Sequence, residues 1–166
     1  MLKRYAIRRV RSADIDRILE IERASFGKDA YDRKLFAEYQ RKCGELFLLA
    51  DGGRTADGGR TADGGPTIDG YSIACLCERR GNWFASLESI AVAPDARGKG
   101  AASSLLKSTI RRLKLRGVGR ITLMVRSSNV AAMRLYERWG FATVRRAPGY
   151  YEDGEEGLLM RKDLTL

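Results

Sequence analysis

Apolar and polar residues along this chain follow two different periods, and the period changes repeatedly. Alternating or unbroken apolar runs predict seven β-strands, at residues 3–10, 45–50, 68–78, 85–92, 120–125, 142–146 and 158–162. Apolar positions spaced three and four apart predict four helices, at residues 12–26, 28–42, 101–113 and 129–139. A helix joins the fourth and fifth strands, so these two strands should run parallel in a right-handed crossover. The pattern therefore predicts an α+β protein with a mixed sheet.

The chain is long enough, at 166 residues, for one domain with its own core, and we expect a single domain over residues 1–166. A tandem repeat separates the second and third predicted strands. Its unit, Asp-Gly-Gly-Arg-Thr-Ala, begins at Asp51 and again at Asp57, and an altered copy begins at Asp63. Asp-Gly is a turn signal, and each doubling of a loop costs only about 0.6 kcal/mol. We interpret residues 51–67 as a flexible hairpin loop without a catalytic role.

A turn rich in small residues, Arg97-Gly98-Lys99-Gly100-Ala101-Ala102, connects the fourth strand to the third helix. The first amides of a helix have no partner within it, and the helix dipole favours an anion there. Glycines let the backbone approach the anion closely, and Arg97 and Lys99 add positive charge. An ordinary turn into a surface helix could have the same composition. The combination nevertheless predicts a site for a pyrophosphate.

The spacing within this turn indicates which pyrophosphate. The chain has no Gly-x4-Gly-Lys-Ser/Thr loop, and a Gly-x-Gly-x-x-Gly fingerprint fails at Ser103. No acidic residue near position 120 is available to hold a ribose. The turn instead resembles the Arg/Gln-x-x-Gly-x-Gly/Ala element of the GNAT acetyltransferase superfamily, which holds the pyrophosphate of acetyl-coenzyme A.

Two later segments strengthen the resemblance. Residues 129–141 are similar to the Asn-x-x-Ala-x-x-x-Tyr-x-x-x-Gly-Phe element of the same superfamily. Residues 150–156 resemble the Tyr-Tyr-x-x-Gly-Glu/Asp-Asp/Glu turn of protein N-terminal acetyltransferases, of both the bacterial ribosomal-protein-alanine type and the archaeal type. The resemblance is strong from Leu87 to Met160 and weak before it. It implies a single-domain GNAT fold, with a central twisted mixed sheet of about seven strands and helices on both faces.

The resemblance also implies roles for individual residues, with acetyl-CoA as co-substrate and no metal. Tyr136 matches the tyrosine that gives a proton or hydrogen bond to the departing thiolate, although it could instead pack in the core. A backbone amide near residues 90–92 would stabilise the oxyanion, and Tyr31, Tyr150 and Tyr151 would contact the acceptor. Tyr31 could instead be a core residue, and Asn129 only a helix cap. The residues implied in cofactor binding are Ile90, Ala91, Val92, Arg97, Gly98, Lys99, Gly100, Ala101, Ala102, Ser103 and Asn129.

The general base departs from the family pattern. Bacterial ribosomal-protein-alanine acetyltransferases have Leu-Glu-Val-Arg on the fifth strand, where this chain has Leu123-Met124-Val125-Arg126. Methionine cannot take a proton. Glu88 is the nearest substitute, acting through a water, or else it is a solvent-facing strand residue.

A weak base suits one class of acceptor better than another. An α-amine has a pKa of about 7.7–8.0 and a lysine about 10.4, so far more of the α-amine is neutral at pH 7. The predicted function is therefore direct acetyl transfer, in a ternary complex, to the N-terminal α-amine of a protein such as a ribosomal protein.

Composition adds further expectations. The net charge of +10 favours acidic partners such as coenzyme A, the ribosome or a nucleic acid. The chain has no histidine, which excludes a histidine-based metal site. Cys43, Cys75 and Cys77 lack zinc-site spacing and are interpreted as buried reduced thiols, as in a cytoplasmic protein. No apolar run has the length of a membrane helix, and we expect no membrane association.

Two alternatives stay open. One keeps the fold but acetylates a small-molecule amine. The other is a non-catalytic GNAT-fold module that binds CoA or RNA, suggested by Met124 and by basic residues at the end of the third helix, namely Arg111, Arg112, Lys114, Arg116 and Arg120. The pattern is compatible with a monomer or a homodimer.

Overall fold

The computed structural model describes residues 2–53 and 67–164, and in these ranges it contains seven strands and four helices. Their order in the sheet is β1-β2-β3-β4-β5-β7-β6. The β4 and β5 strands are parallel, whereas β1 with β2, β2 with β3, β5 with β7 and β6 with β7 are antiparallel. The predicted mixed sheet is therefore confirmed. The elements are β1 (Ala6–Arg9), α1 (Ile15–Phe26), α2 (Arg33–Cys43), β2 (Phe47–Asp51), β3 (Ile68–Arg79), β4 (Asn82–Val92), α3 (Ala101–Leu115), β5 (Arg120–Arg126), α4 (Val130–Arg138), β6 (Ala142–Ala147) and β7 (Gly157–Asp163).

The second helix begins later than the sequence pattern predicts. Residues 27–29 form a short 3-10 turn, and α2 begins at Arg33. Asp32 caps it, because its side-chain oxygen accepts the backbone N–H of Leu35 at 2.8 Å. The tandem repeat lies almost wholly outside the described residues. Asp51, the first residue of the repeat, pairs with Ile68, the last residue of its third copy.

The chain divides into two compact units, the first made of Met1–Ala74 and Ser89–Thr109. Strand β2 lies within this unit and is buried along its whole length. The Phe47 ring stacks on Phe36 of α2, with 6.0 Å between ring centres. Leu48 and Ala50 instead join a buried cluster with the first turns of α3. Successive strand residues point to opposite faces, so helices cover both faces of the sheet here, as predicted.

The second unit consists of Cys75–Glu88 and Ile110–Leu166. Its central strand, β5, pairs in parallel with β4 from Ala85↔Ile121 to Leu87↔Leu123. On its other edge, β5 pairs with β7 along its full length, ending at Arg126↔Gly157. The segment between β6 and β7 therefore returns to the carboxyl end of β5. No helix in the described ranges is long and apolar enough to cross a membrane.

The cysteines differ from expectation. Cys43 and Cys75 are disulfide-bonded, Cys77 has a free thiol, and all three are only half-buried. The prediction of three buried reduced thiols is wrong, because spacing along the chain does not show which cysteines come within the roughly 4.4–6.8 Å between Cα atoms that a disulfide needs. The cytoplasmic localisation, which drew on reduced thiols, stays a prediction.

Candidate active site

The turn between β4 and α3 has the backbone of an anion site. Gly98 and Gly100 adopt φ angles of +75° and +96°, in the left-handed region that glycine enters readily. Helix α3 begins immediately afterwards, at Ala101. The first amides of an α-helix have no acceptor within the helix itself. The arrangement fits a pyrophosphate held by backbone N–H groups at a helix N-terminus.

The two basic residues of this turn are anchored to it. Arg97 donates from Nε to the Val92 carbonyl at 3.2 Å and from its guanidinium to Ser25 Oγ at 3.4 Å. Lys99 donates from Nζ to the Asp95 carbonyl at 2.9 Å. Both charges are consequently held near the start of α3, where they add to the favourable potential for an anion.

The end of β4 has its side chains packed. Ile90 and Val92 pack against the buried cluster formed by β2 and α3, and Ala91 is buried. The cofactor-binding and oxyanion roles expected at these positions would therefore fall to backbone groups.

A buried hydrogen-bonded network lies in the same unit, and sequence reasoning missed it. Glu22 of α1 is 1% exposed. One carboxylate oxygen accepts the Tyr31 backbone N–H at 2.9 Å, and the other accepts the Tyr71 hydroxyl. The Tyr71 oxygen lies 3.1 Å from Ser89 Oγ on β4. Burial raises the pKa of Glu22 to about 7, while the hydrogen bond from Tyr31 lowers it by less.

Tyr31 has a packed ring. Its side chain is half-buried, and its ring centre lies 6.0 Å from that of Phe36 and 5.8 Å from that of Tyr39. The aromatic cluster agrees with the core alternative for Tyr31. The contact between its backbone and Glu22 holds the segment between α1 and α2 in place.

In the second unit, α4 positions Tyr136. This side chain is 6% exposed, and its ring centre lies 5.7 Å from that of Phe141. Burial, with a smaller contribution from Tyr151, raises the pKa of Tyr136 well above its usual value. The phenol therefore keeps its proton at neutral pH and can act as a donor. Asn129 caps α4, since its side-chain oxygen accepts the Ala132 N–H at 3.2 Å.

The segment between β6 and β7 is fastened by Arg126. Its guanidinium lies 4.0 Å from the Tyr151 ring centre and pairs with Asp153 at 2.9 Å and Glu155 at 2.8 Å. Glu155 also accepts the Ser128 N–H at 3.0 Å. Hydrogen bonds from Ser128, followed by Arg126, keep the pKa of Glu155 below its usual range. Tyr150 and Tyr151 stand at the start of this segment, and Tyr150 is 55% exposed.

A sequence model of the acetyltransferase (GNAT) family matches residues 15–141. The chain belongs to this family. The match runs from the start of α1 past Tyr136, and so it includes the glycine turn and parts of both units. The GNAT resemblance of the sequence is thereby confirmed.

One relative is similar along almost the whole chain, and another is similar along about half of it. An N-alpha-acetyltransferase of Saccharolobus solfataricus is 32% identical over 161 residues, which is 96% of this chain and 93% of the relative. The [ribosomal protein bS18]-alanine N-acetyltransferase of Escherichia coli is 45% identical over 80 residues, covering 46% of this chain and 53% of the relative.

Solved structures share the fold. Ard1 from Thermoplasma volcanium superposes with a TM-score of 0.83 at 22% identity, over 98% of this chain and 99% of that one. The ribosomal-protein-S18-alanine N-acetyltransferase from Escherichia coli superposes with a TM-score of 0.76 at 27% identity, over 98% and 96%. The predicted fold and the predicted N-acetyltransferase class are confirmed.

Within this GNAT chain, the identity of the proton acceptor stays open. Met124 is half-buried on β5 and lies opposite Leu159 of β7. Glu88 is half-buried on β4. Burial of the Cys77 thiol and, to a smaller extent, the negative charge of Glu88 raise the pKa of Cys77. The proposed role of Glu88 as base stays a prediction. No group of potential metal ligands occurs in the described part of the chain.

Proposed function

We propose that this protein transfers the acetyl group of acetyl-CoA to the N-terminal α-amine of another protein. The observation that carries the proposal is the turn at residues 97–102, where two left-handed glycines lead directly into the start of α3. Similarity to an N-alpha-acetyltransferase along 96% of the chain supports the α-amine as acceptor. Similarity to a ribosomal-protein-alanine enzyme supports a ribosomal protein as the substrate class.

Each step of the reaction has a candidate group. The amides that begin α3, with Arg97 and Lys99, hold the pyrophosphate of the co-substrate. The neutral amine attacks the thioester carbonyl, and a backbone amide at residues 90–92 stabilises the oxyanion. The new C–N bond forms, the C–S bond breaks, and Tyr136 gives a proton or hydrogen bond to the departing thiolate. The amine loses one proton to a base.

The acceptor would meet aromatic side chains. Tyr150 and Tyr151 present rings whose centres are 5.0 Å apart in an edge-to-face arrangement, and Tyr31 belongs to the segment between α1 and α2. The net charge of +10 favours encounter with substrates near ribosomal RNA in the cytoplasm.

The test is mass spectrometry of peptides incubated with acetyl-CoA and the purified protein. The panel pairs free and blocked N-termini, and every peptide carries an internal lysine. We expect acetylation of free α-amines only. Acetylation of lysine in blocked peptides would contradict the proposal, and transfer to small amines alone would support the small-molecule alternative.

A further inference from the structure

The acceptor amine has to lose a proton, yet position 124 offers no group to receive it. At pH 7 most of an α-amine with a pKa of about 7.7–8.0 is still protonated. The structure contains a carboxylate that the sequence-based assignment left without a role. Glu22 lies inside the first unit and is 1% exposed. A role for it in this reaction rests on the function proposed above.

Glu22 connects to β4 through one side chain. The Tyr71 hydroxyl donates its single proton to Glu22. Consequently, the 3.1 Å contact between Tyr71 and Ser89 is a hydrogen bond in which Ser89 donates to the Tyr71 oxygen. Tyr71 is fully buried, whereas Ser89 is only half-buried. The chain of donors therefore leads from a partly accessible hydroxyl on β4 to a carboxylate inside the protein.

We propose that Ser89, Tyr71 and Glu22 form a proton relay that deprotonates the acceptor amine. The protonated α-amine gives a proton to Ser89 Oγ, Ser89 gives its hydroxyl proton to the Tyr71 oxygen, and Tyr71 gives its own to Glu22. One N–H bond breaks and one carboxyl O–H bond forms. The amine keeps the electron pair and uses it to attack the thioester. The second proton, which the nitrogen loses after it attacks the thioester, balances the proton that the departing thiolate receives. No further reagent is needed, and Glu22 acts only through the other two groups.

The surroundings of Glu22 suit it to this task. Its second oxygen is held by the Tyr31 N–H, so the carboxylate is fixed towards Tyr71. Among the described residues Glu22 has no ion-pair partner, and burial rather than a neighbouring charge sets its pKa near 7. That value is close to the pKa of an α-amine, as proton transfer requires. The ionisable residues of the adjoining elements are Asp16, Arg17, Glu20 and Arg23 on α1, Lys28, Asp29, Tyr31 and Asp32 after it, Arg33, Lys34, Glu38, Tyr39, Arg41 and Lys42 on α2, and Asp69 and Tyr71 on residues 68–74 of β3, while residues 89–92 of β4 contribute none.

The experiment compares three variants that interrupt the relay at different points: Ser89→Ala, Tyr71→Phe and Glu22→Gln. Ser89→Thr keeps a hydroxyl and serves as the conservative replacement. Glu20→Gln is the matched control, because Glu20 lies on the same helix but is exposed and pairs with Arg17. For each full-length protein, kcat and KM for a peptide α-amine are measured at saturating acetyl-CoA, between about pH 5.5 and 9.

We expect the wild-type kcat to fall as the pH drops through about 7, the pKa of Glu22. Ser89→Ala and Tyr71→Phe should lower kcat by about tenfold or more near neutral pH, with KM within about threefold. In both variants the fall in kcat should move to higher pH, towards the pKa of the amine itself. Ser89→Thr should keep most of the activity, and Glu20→Gln all of it.

Other results would overturn the relay. An equal loss of kcat at every pH, with the acid limb unmoved, would assign the three residues a structural role only. An unchanged kcat in Ser89→Ala would remove the proposed entry point. Ser89→Ala and Tyr71→Phe each delete one hydroxyl, and either one decides the outcome if Glu22→Gln does not fold.

Failure of the relay can be told apart from failure of the proposed function. If the wild type acetylates lysine rather than α-amines, the proposed function fails, and the same pH profiles test the relay on lysine. If the wild type acetylates α-amines but the variants keep its profile, only the relay fails. Lack of transfer to any amine would contradict both.

Discussion

Burial raises the pKa of two side chains that have proposed roles in proton transfer, Glu22 in the first unit and Tyr136 in the second. It raises the pKa of Tyr136, so this phenol stays a proton donor. It raises the pKa of Glu22 to about 7, so this carboxyl can accept a proton near neutral pH. An acid and a base whose environments set them apart are what a proton-transfer reaction needs. In both cases burial by the surrounding elements is the largest cause of the pKa shift.

Tyr136→Phe tests the donor. The change removes one hydroxyl from a packed ring, so the melting temperature should hardly change. We expect kcat to fall by about 10²-fold, because the thiolate would leave without its proton donor, while acetyl-CoA affinity stays similar. Steady-state kinetics measures kcat, and calorimetry measures the melting temperature and the acetyl-CoA affinity. Tyr39→Phe, the same change in the aromatic cluster of α2, should leave kcat as it is. A normal kcat in Tyr136→Phe would contradict the role.

Glu22 also predicts how stability depends on pH. Its pKa rises from 4.5 to about 7 on folding, so the folded state binds this proton more tightly than the unfolded state. The resulting contribution to the free energy of unfolding is fully present below about pH 4.5 and is lost as the pH rises through about 7. As the pH rises over this range, the melting temperature of the wild type should therefore fall relative to that of Glu22→Gln. A difference that is constant with pH would contradict the assignment, and Glu20→Gln provides the reference.

At the scale of elements, two short connections carry groups that are proposed to bind the co-substrate and the acceptor. The turn between β4 and α3 holds the amides expected to bind pyrophosphate, and the segment between β6 and β7 carries the tyrosines expected to meet the acceptor. Each is fixed by its own contacts. The first depends on left-handed glycines, and the second on Arg126.

Gly100→Ala tests the turn. Gly100 adopts φ +96°, in the left-handed region that residues with a Cβ disfavour. A Cβ added at this position would also lie 3.3 Å from Leu2 Cδ2. We expect a loss of about 1 kcal/mol in stability and CoA binding weaker by about tenfold, as the amides shift. Calorimetry with CoA measures the affinity. Gly119→Ala is the matched control, since a Cβ there meets nothing within 4 Å. Equal CoA affinity in both variants would contradict the proposed binding of pyrophosphate by this turn.

Arg126→Gln tests the second connection. The substitution removes the ion pairs with Asp153 and Glu155 and the contact with the Tyr151 ring, so residues 148–156 should exchange their amide hydrogens faster. We expect KM for the peptide to rise severalfold with little change in CoA affinity. Arg145→Gln, on exposed β6, should change neither. A peptide KM equal to that of wild type would show that this segment does not bind the acceptor.

At the scale of the whole molecule, the repeat between β2 and β3 is predicted to be dispensable. The flanking strands meet without it, because the Gly52 N–H donates to the Thr67 carbonyl at 2.8 Å. Replacing residues 54–66 by one glycine would leave a two-residue turn, and each halving of loop length returns about 0.6 kcal/mol. We expect unchanged acetyl transfer and a melting temperature no lower than wild type. Loss of activity in a folded variant would assign the repeat a function.

The periods of apolar residues and the turn chemistry were sufficient to predict the elements, because helix, strand and turn preferences act over a few residues. The GNAT family was predicted from the resemblance of residues 97–102, 129–141 and 150–156 to family elements. The predicted start of α2 was wrong because the helix begins after its cap, Asp32, and not at the earlier residue where the predicted helix began. Glu22 carried a readable signal. It lies seven residues after Ile15, on the helix face that Ile15, Ile18 and Leu19 bury, and a polar residue in such a stripe indicates a buried partner.

The sequence by itself determined the family, the order of strands and helices, and the loop that suits a pyrophosphate. Tertiary structure decided which side chains share a proton or an ion pair. Glu22 and Tyr71 are 49 residues apart, and Arg126 and Glu155 are 29 apart. Such pairs meet only after α1 packs on β3, or after β7 returns beside β5. Their proton affinities follow from that packing, since burial removes water that every ionisable group of the unfolded chain retains.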